Sequence, residues 1–238
     1  MCCKPPGLLS ESMPAFSTQG IGNIPSQWSD MRHSQDGGAT WSPGIVMTGK
    51  GLGLVQPTVV RLADNATGEP TRELVAFFRS RKRDRVWRAR SYDEGRTWTQ
   101  PKRTPLPNPN KSVQAVTLQS GAIALVFNNN RGKGFGKTRG HIYRDSKQYP
   151  VSVGLSFDGG RTWPYVRDLQ EQFDIRLEFS YPSVVQTSDG SIHITYTWSH
   201  TRRRVAVRYM RITEDWIKGR YTFGATRGVY QPAAVVGA

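Results

Sequence analysis

Hydrophobic and polar positions alternate in short runs along most of the chain. Arg85–Ser91 places Val86, Arg88 and Arg90 on one side and Trp87 and Ala89 on the other, the period-two signature of a strand. Residues 57–62 and 73–80 are apolar, β-branched or aromatic runs separated by a polar loop with Gly and Pro. Residues 99–104 follow as a further strand. Runs at 112–118, 122–128, 149–156 and 164–167 repeat the arrangement, and runs at 182–187, 191–198 and 205–212 begin it again. Glu214–Lys218 reads as one helical turn, and little else is helical. Four short strands per unit, joined by turns, predict an all-β chain built as β-propeller blades of antiparallel strands.

The turns repeat as well. Ser34-Gln-Asp-Gly-Gly-Ala-Thr-Trp41, Ser91-Tyr-Asp-Glu-Gly-Arg-Thr-Trp98 and Ser156-Phe-Asp-Gly-Gly-Arg-Thr-Trp163 share the pattern S-x-D-x-G-x-T-W. Asp36, Asp93 and Asp158 are 57 and 65 residues apart, a spacing that fits a sheet-sized unit. An aspartate at this position bonds backbone N–H groups further along the turn, and glycine accepts positive φ. Thr and Trp then open the next strand, and Trp41, Trp98 and Trp163 supply a bulky plug. One carboxylate per loop gives too few oxygens for calcium, so these positions read as hairpin staples. Glu214–Lys218 stands where a fourth such turn would fall. Residues 132–148 form a long basic insertion, and the G-x-G-x-G within it lacks the strand–helix context of a phosphate loop.

Charge adds a direction. The 238 residues carry 33 Lys+Arg against 18 Asp+Glu, a net charge of +15, which points to an anionic partner. The basic strips 79–90 and 202–211 would give nucleic acid only salt-sensitive, non-specific binding, so no specific nucleic-acid role is expected. Cys2 and Cys3 are adjacent, which gives neither a disulfide framework nor a zinc site. No His pair has ligand spacing, so no metal and no cofactor is expected. No run approaches a membrane span and the start lacks the apolar core of a signal peptide, which makes the cytoplasm the default compartment. Asn65-Ala-Thr67 and Asn110-Lys-Ser112 would be glycosylation sequons only in a secreted chain.

The three turns and their flanking strands resemble the Asp-box (BNR) repeats of sialidase-like six-bladed propellers. The likeness also covers Val55-Gln-Pro-Thr-Val-Val-Arg61, Phe77-Phe-Arg-Ser80, Pro107-Asn-Pro-Asn110, Val126-Phe-Asn-Asn-Asn130, Tyr181-Pro-Ser183 and Ile192-His-Ile-Thr-Tyr-Thr-Trp198. It is closest to bacterial-type exo-sialidase-like proteins. It implies an irregular segment at 1–27, a partial propeller at 28–223 and a tail at 224–238. The order of the segments resembles the later blades, about three to four of six.

What the resemblance implies for chemistry is carried residue by residue. Members use a tyrosine nucleophile, outside the usual two-carboxylate scheme. Tyr181-Pro-Ser-Val…Asp189-Gly-Ser-Ile192 has the family spacing, which makes Tyr181 the candidate. The family's glutamate position corresponds to Gln56, and an amide cannot take the phenolic proton. Of the three family arginines that hold the substrate carboxylate, the second corresponds to Arg79. The third corresponds to Gln148, with Arg144 and Lys147 nearby. The first arginine and the general acid have no counterpart. Asn110, Asn128, Tyr196 and His200 are further candidates to touch a sugar, because such side chains offer hydrogen-bond donors and acceptors to hydroxyls. Two readings stay open: an exo-α-sialidase-type hydrolase acting on a terminal anionic sugar, and a non-catalytic glycan-binding propeller module. An incomplete ring leaves strand edges open, so self-association through those edges is also expected.

Overall fold

The computed structural model describes residues 13–19, 27–49, 51–64, 67–130, 137–138, 141–142, 150–170, 177–200, 203–219, 221–223 and 230–232. They form four antiparallel sheets of three or four strands in chain order, with two further two-stranded hairpins. The first contains β1 (Met13–Gln19), β2 (Trp28–Ser34) and β3 (Ile45–Val46). The second contains β4 (Leu54–Ala63), β5 (Pro70–Ser80), β6 (Arg85–Ser91) and β7 (Lys102–Pro107). In the third, β8 (Gln114–Thr117) and β9 (Ile123–Asn128) precede a small hairpin of β10 (Lys137–Thr138) and β11 (His141–Ile142). That sheet then closes with β12 (Val151–Ser156) and β13 (Tyr165–Asp168), in the order β8-β9-β12-β13. The fourth contains β14 (Leu177–Gln186), β15 (Ile192–His200) and β16 (Arg203–Ile212), followed by α1 (Glu214–Lys218). The hairpin of β17 (Tyr221–Phe223) and β18 (Tyr230–Pro232) comes last.

The central strands of the second and third sheets are buried on both faces because each of these sheets packs between two others. Phe77 and Phe78 are adjacent and both fully buried. Side chains alternate across a strand, so Phe77 faces the third sheet with Phe127 and Trp163, whereas Phe78 faces the first with Met31 and Met47. In β9, Ile123, Leu125 and Phe127 point to the second sheet, and Ala124 and Val126 point to the fourth. Three apolar layers between four face-packed sheets, with β4, β8 and β14 innermost and adjacent, make the described residues an incomplete propeller of the sialidase type.

The three Asp-turns share one set of bonds. Asp36, Asp93 and Asp158 each accept the N–H of the threonine four residues on at 2.9 Å, and its hydroxyl at 2.6, 2.7 and 2.6 Å respectively. The preceding serine hydroxyl accepts the glycine N–H at 2.7, 2.7 and 2.8 Å. These bonds hold all three carboxyls below the usual carboxylate range. At Asp36, Thr40 is the main cause; at Asp93 and Asp158, burial works against the bonds from Thr97 and Thr162 and loses, with Asp93 held at about 2. Among the described residues no group of His, Cys, Asp and Glu side chains is arranged to hold a metal.

The plug differs from turn to turn. Trp163 is buried with its ring edge-on to Phe77 at 5.7 Å, Trp98 donates its indole N–H to the Gly95 carbonyl at 3.1 Å, and Trp41 remains 41% exposed. A Cβ at Gly160, whose φ is +79°, would meet the Phe77 ring at 2.5 Å. That glycine permits both the turn and the close approach of the neighbouring sheet.

Three details differ from the sequence reading. The segment 1–27 contains a strand, β1, which pairs with β2 from Met13↔Ser34 to Gln19↔Trp28; Pro14 in its sequence reads as a strand breaker. The final strand of the second sheet begins at Lys102, three residues past the expected Thr99. Thr99 still bonds Arg90 through its N–H, but Pro101 has no N–H with which to continue the ladder. The tail beyond 223 contains β18. The single helical turn lies where expected, capped by the Thr213 hydroxyl, which accepts the Trp216 N–H at 3.1 Å.

Candidate functional site

The inner strands of the second and fourth sheets contain, and that of the third follows, one local motif. Gln56-Pro-Thr-Val, Asn110-Lys-Ser-Val and Tyr181-Pro-Ser-Val align in sequence, and each leads with a non-glycine residue at positive φ: +49°, +64° and +51°. In β4 and β14 the ladder breaks at the same place, between Val55 and Thr58 and between Ser180 and Ser183. A side chain in this region costs about 1–3 kcal/mol, and such strain gathers at functional positions. Only five non-glycine residues among those described have positive φ, and three of them are this set.

All three meet at Arg79 near the end of β5. Arg79 donates from Nε to the Asn110 Oδ1 at 2.7 Å and from Nη1 to the Gln56 Oε1 at 2.8 Å. Burial, foremost, and then the Arg81 charge lower its pKa, while interaction with the Tyr181 hydroxyl works the other way. The loop that presents Asn110 is shaped by Asn108. That side chain is fully buried, accepts the N–H groups of Ser80 and Asn110, and donates to the Lys111 carbonyl.

Tyr181 is 48% exposed, although its neighbours Phe179 and Pro182 are buried. The bulge turns the phenol out of the core. The strand beneath is fixed by Asn128, which is buried and donates to the Phe179 carbonyl at 2.9 Å. The Arg204 guanidinium lies 4.9 Å from the centre of the Tyr181 ring, within cation–π range.

Arg79, Tyr181 and Arg204 line a cleft of about 250 Å³ together with Lys111 and Glu178. Three serines, 112, 180 and 199, complete it with hydroxyl groups. Three cations therefore face one carboxylate. Burial lowers the pKa of Lys111 most; Glu178 opposes that shift, and Arg79 and Arg83 add to it. The Ser112 hydroxyl is buried and has no hydrogen-bond partner among the described residues. The cleft can receive a small, polar, negatively charged ligand, of the size of one sugar ring rather than a drug-sized molecule.

The structure brings Tyr181, Gln56, Arg79 and Asn110 together. It places Asn128 beneath the cleft as a strut. Tyr196 is not at the cleft: it is 3% exposed, packs edge-on against Phe179 and donates its hydroxyl to Gln170 at 2.8 Å. Its position on the inward face of β15 decides this, and that face is legible only once the register is known. His200 ends β15 and stacks on Trp198, ring centres 6.1 Å apart, next to cleft-lining Ser199. Arg144 and Gln148 lie outside the described residues. Sequence reasoning missed Lys111, Glu178 and Arg204. The recurring x-Pro/Lys-Ser/Thr-Val motif would have marked the Lys111 loop as equivalent to the Tyr181 loop. Glu178 and Arg204 carry no such mark. Within the basic strip 79–90, Arg90 pairs with Glu73 at 2.5 Å and Arg88 is half-buried among Arg90, Arg161 and Asp158, whereas Lys82 and Arg83 are exposed.

Comparison with solved structures gives the same fold. The NanB sialidase of Streptococcus pneumoniae matches 80% of this chain over 28% of its own, with 15% identity and a TM-score of 0.59. The leech intramolecular trans-sialidase, complexed with 2,7-anhydro-Neu5Ac, matches 87% of this chain over 30% of its own, with 12% identity and a TM-score of 0.59. A GH93 α-L-arabinofuranosidase of Fusarium graminearum, solved with arabinobiose, matches 79% over 55%, with 18% identity and a TM-score of 0.52. This chain therefore spans about a third or less of the length of the two sialidases. No curated protein matches it in sequence. The BNR repeat-like domain model matches residues 14–194. With three Asp-turns bonded alike in stacked antiparallel sheets and the fold it shares with these sialidases, this chain belongs to the BNR repeat-like domain family.

Proposed function

We propose that the Tyr181 cleft binds the anionic end of a terminal sugar acid of the sialic acid type. The observation that carries this is the junction itself: three strained residues from three sheets converge on Arg79 beside an exposed phenol, in a cleft with three cations and one carboxylate. The sialidase and trans-sialidase neighbours support the ligand class. The arabinofuranosidase neighbour raises a neutral sugar, against which the cationic lining argues.

As a hydrolase, the chain would use Tyr181 as nucleophile. Its oxygen would bond the anomeric carbon as the glycosidic bond breaks, and water would then release the sugar with net retention. The phenolic proton must go to a base, and the Gln56 amide facing Arg79 is none. That observation favours a second reading, binding without turnover. A fluorogenic sialoside offered to wild type and Tyr181→Phe separates them. Turnover lost in the variant establishes the hydrolase. Saturable binding without turnover establishes the binder. Neither binding nor turnover overturns both.

We also propose self-association. The outer face of the fourth sheet presents Val185, Val207 and Tyr209 at 53%, 72% and 58% exposure, and β16 pairs only with β15 among the described strands.

A further inference from the structure

Resting on that reading of the cleft, we infer that Lys111 and Arg204 receive the ligand's anion, and that Arg79 is a positioning residue that sets Tyr181, Gln56 and Asn110. Arg79 already spends two of its three nitrogens on Asn110 and Gln56, and its guanidinium also interacts with the Tyr181 hydroxyl. Two of its five N–H donors, including the only one on Nε, are therefore committed to holding these two loops. Arg79 is the knot that ties three strained backbone positions together.

Lys111 and Arg204 are in the opposite state. No acceptor among the described residues takes a hydrogen bond from the Lys111 ammonium or the Arg204 guanidinium. Lys111 is half-buried, with Glu178 as its favourable neighbour and Arg79 and Arg83 against it. Arg204 is exposed and rests on the face of the Tyr181 ring. Both line the same cleft as the unpartnered Ser112 hydroxyl. Lys111 also occupies the motif position that Pro57 and Pro182 fill in the other two loops, so only one of three equivalent loops supplies a cation there. A carboxylate in the cleft would give the Lys111 charge a counter-ion and the Ser112 hydroxyl an acceptor.

The test uses the full chain with ¹³C-labelled lysine, with the Lys111 resonance assigned by its loss in Lys111→Gln. N-acetylneuraminic acid is titrated in, and acetate in a separate series. The expected result is that both anions move the Lys111 resonance and raise its titration midpoint. Lys111→Gln and Arg204→Gln should each weaken binding of the acid about tenfold, as loss of a charge-assisted bond implies. Arg79→Gln should perturb the Tyr181 ring signals more than the affinity. A Lys111 signal that stays still while the sugar acid binds overturns the inference. So does binding lost in Arg79→Gln but kept in the other two variants. If no sugar acid binds, the sialic acid reading fails, and acetate alone decides: a Lys111 response that disappears in Arg204→Gln upholds the anion site, and no response overturns it. Thermal midpoints of the variants separate misfolding from lost contacts.

Discussion

Gln56 is the residue on which the chemistry turns. Its side-chain oxygen accepts from Arg79 at 2.8 Å, in the position where the resembling family carries a glutamate. An amide there accepts the hydrogen bond but not a proton. Gln56→Glu should therefore raise turnover of an aryl sialoside by about tenfold or more, since a positioned base contributes on that order or above. A good aryl leaving group needs no general acid, so the absence of a counterpart for that residue does not mask the effect. Steady-state kcat on a fluorogenic sialoside reads it, and an unchanged rate would remove Tyr181 from the nucleophile's role. Tyr181, Gln56 and Arg79 were legible from short motifs because each carries a local mark: a proline after it, or an aromatic pair before it. Arg204 was not, since its place over the Tyr181 ring depends on how β16 pairs with β15. Tyr196 misled for the same reason. One residue of register separates the cleft side of a strand from its core side.

At the scale of elements, the Asp-turns fix the hairpins and the glycine within each fixes how closely sheets approach. Asp158→Ala removes the acceptor of the Thr162 N–H and hydroxyl. Charged hydrogen bonds of this kind are worth about 2 kcal/mol, and urea unfolding should show a loss of that order. Gly160→Ala forces a Cβ against the Phe77 ring at positive φ and should cost about 1–3 kcal/mol by overpacking, read in the same way. The turns also set an acid limit. Asp93 sits at about 2 in the folded chain, against about 3.9 unfolded. Its contribution to stability is complete above the unfolded value and is lost as pH falls through the folded one. Urea midpoints should therefore drop between about pH 4 and pH 2 in wild type, and less in Asp93→Asn. The strands and turns were legible because period-two patterning and a repeated S-x-D-x-G-x-T-W motif are local signals. β1 was not: its strand character comes from pairing with β2, not from its own composition.

At the scale of the whole molecule, four stacked sheets bury three apolar layers and leave the outer face of the fourth uncovered. Sedimentation should show apparent mass rising with concentration, and Val207→Lys with Tyr209→Lys should suppress the rise. The net charge of +15 takes on a local meaning in the cleft. There, cations from the second, third and fourth sheets converge on one exposed tyrosine, whereas Arg61, Arg90, Arg103 and Arg211 pair with carboxylates. The most direct measurement of the central claim is isothermal titration of the full chain with N-acetylneuraminic acid beside neutral galactose at low ionic strength. The cleft predicts one-site, saturable binding of the acid, weakened by salt and by Arg204→Gln, with no heat from galactose. Equal binding of both sugars, or no binding of the acid, would contradict it.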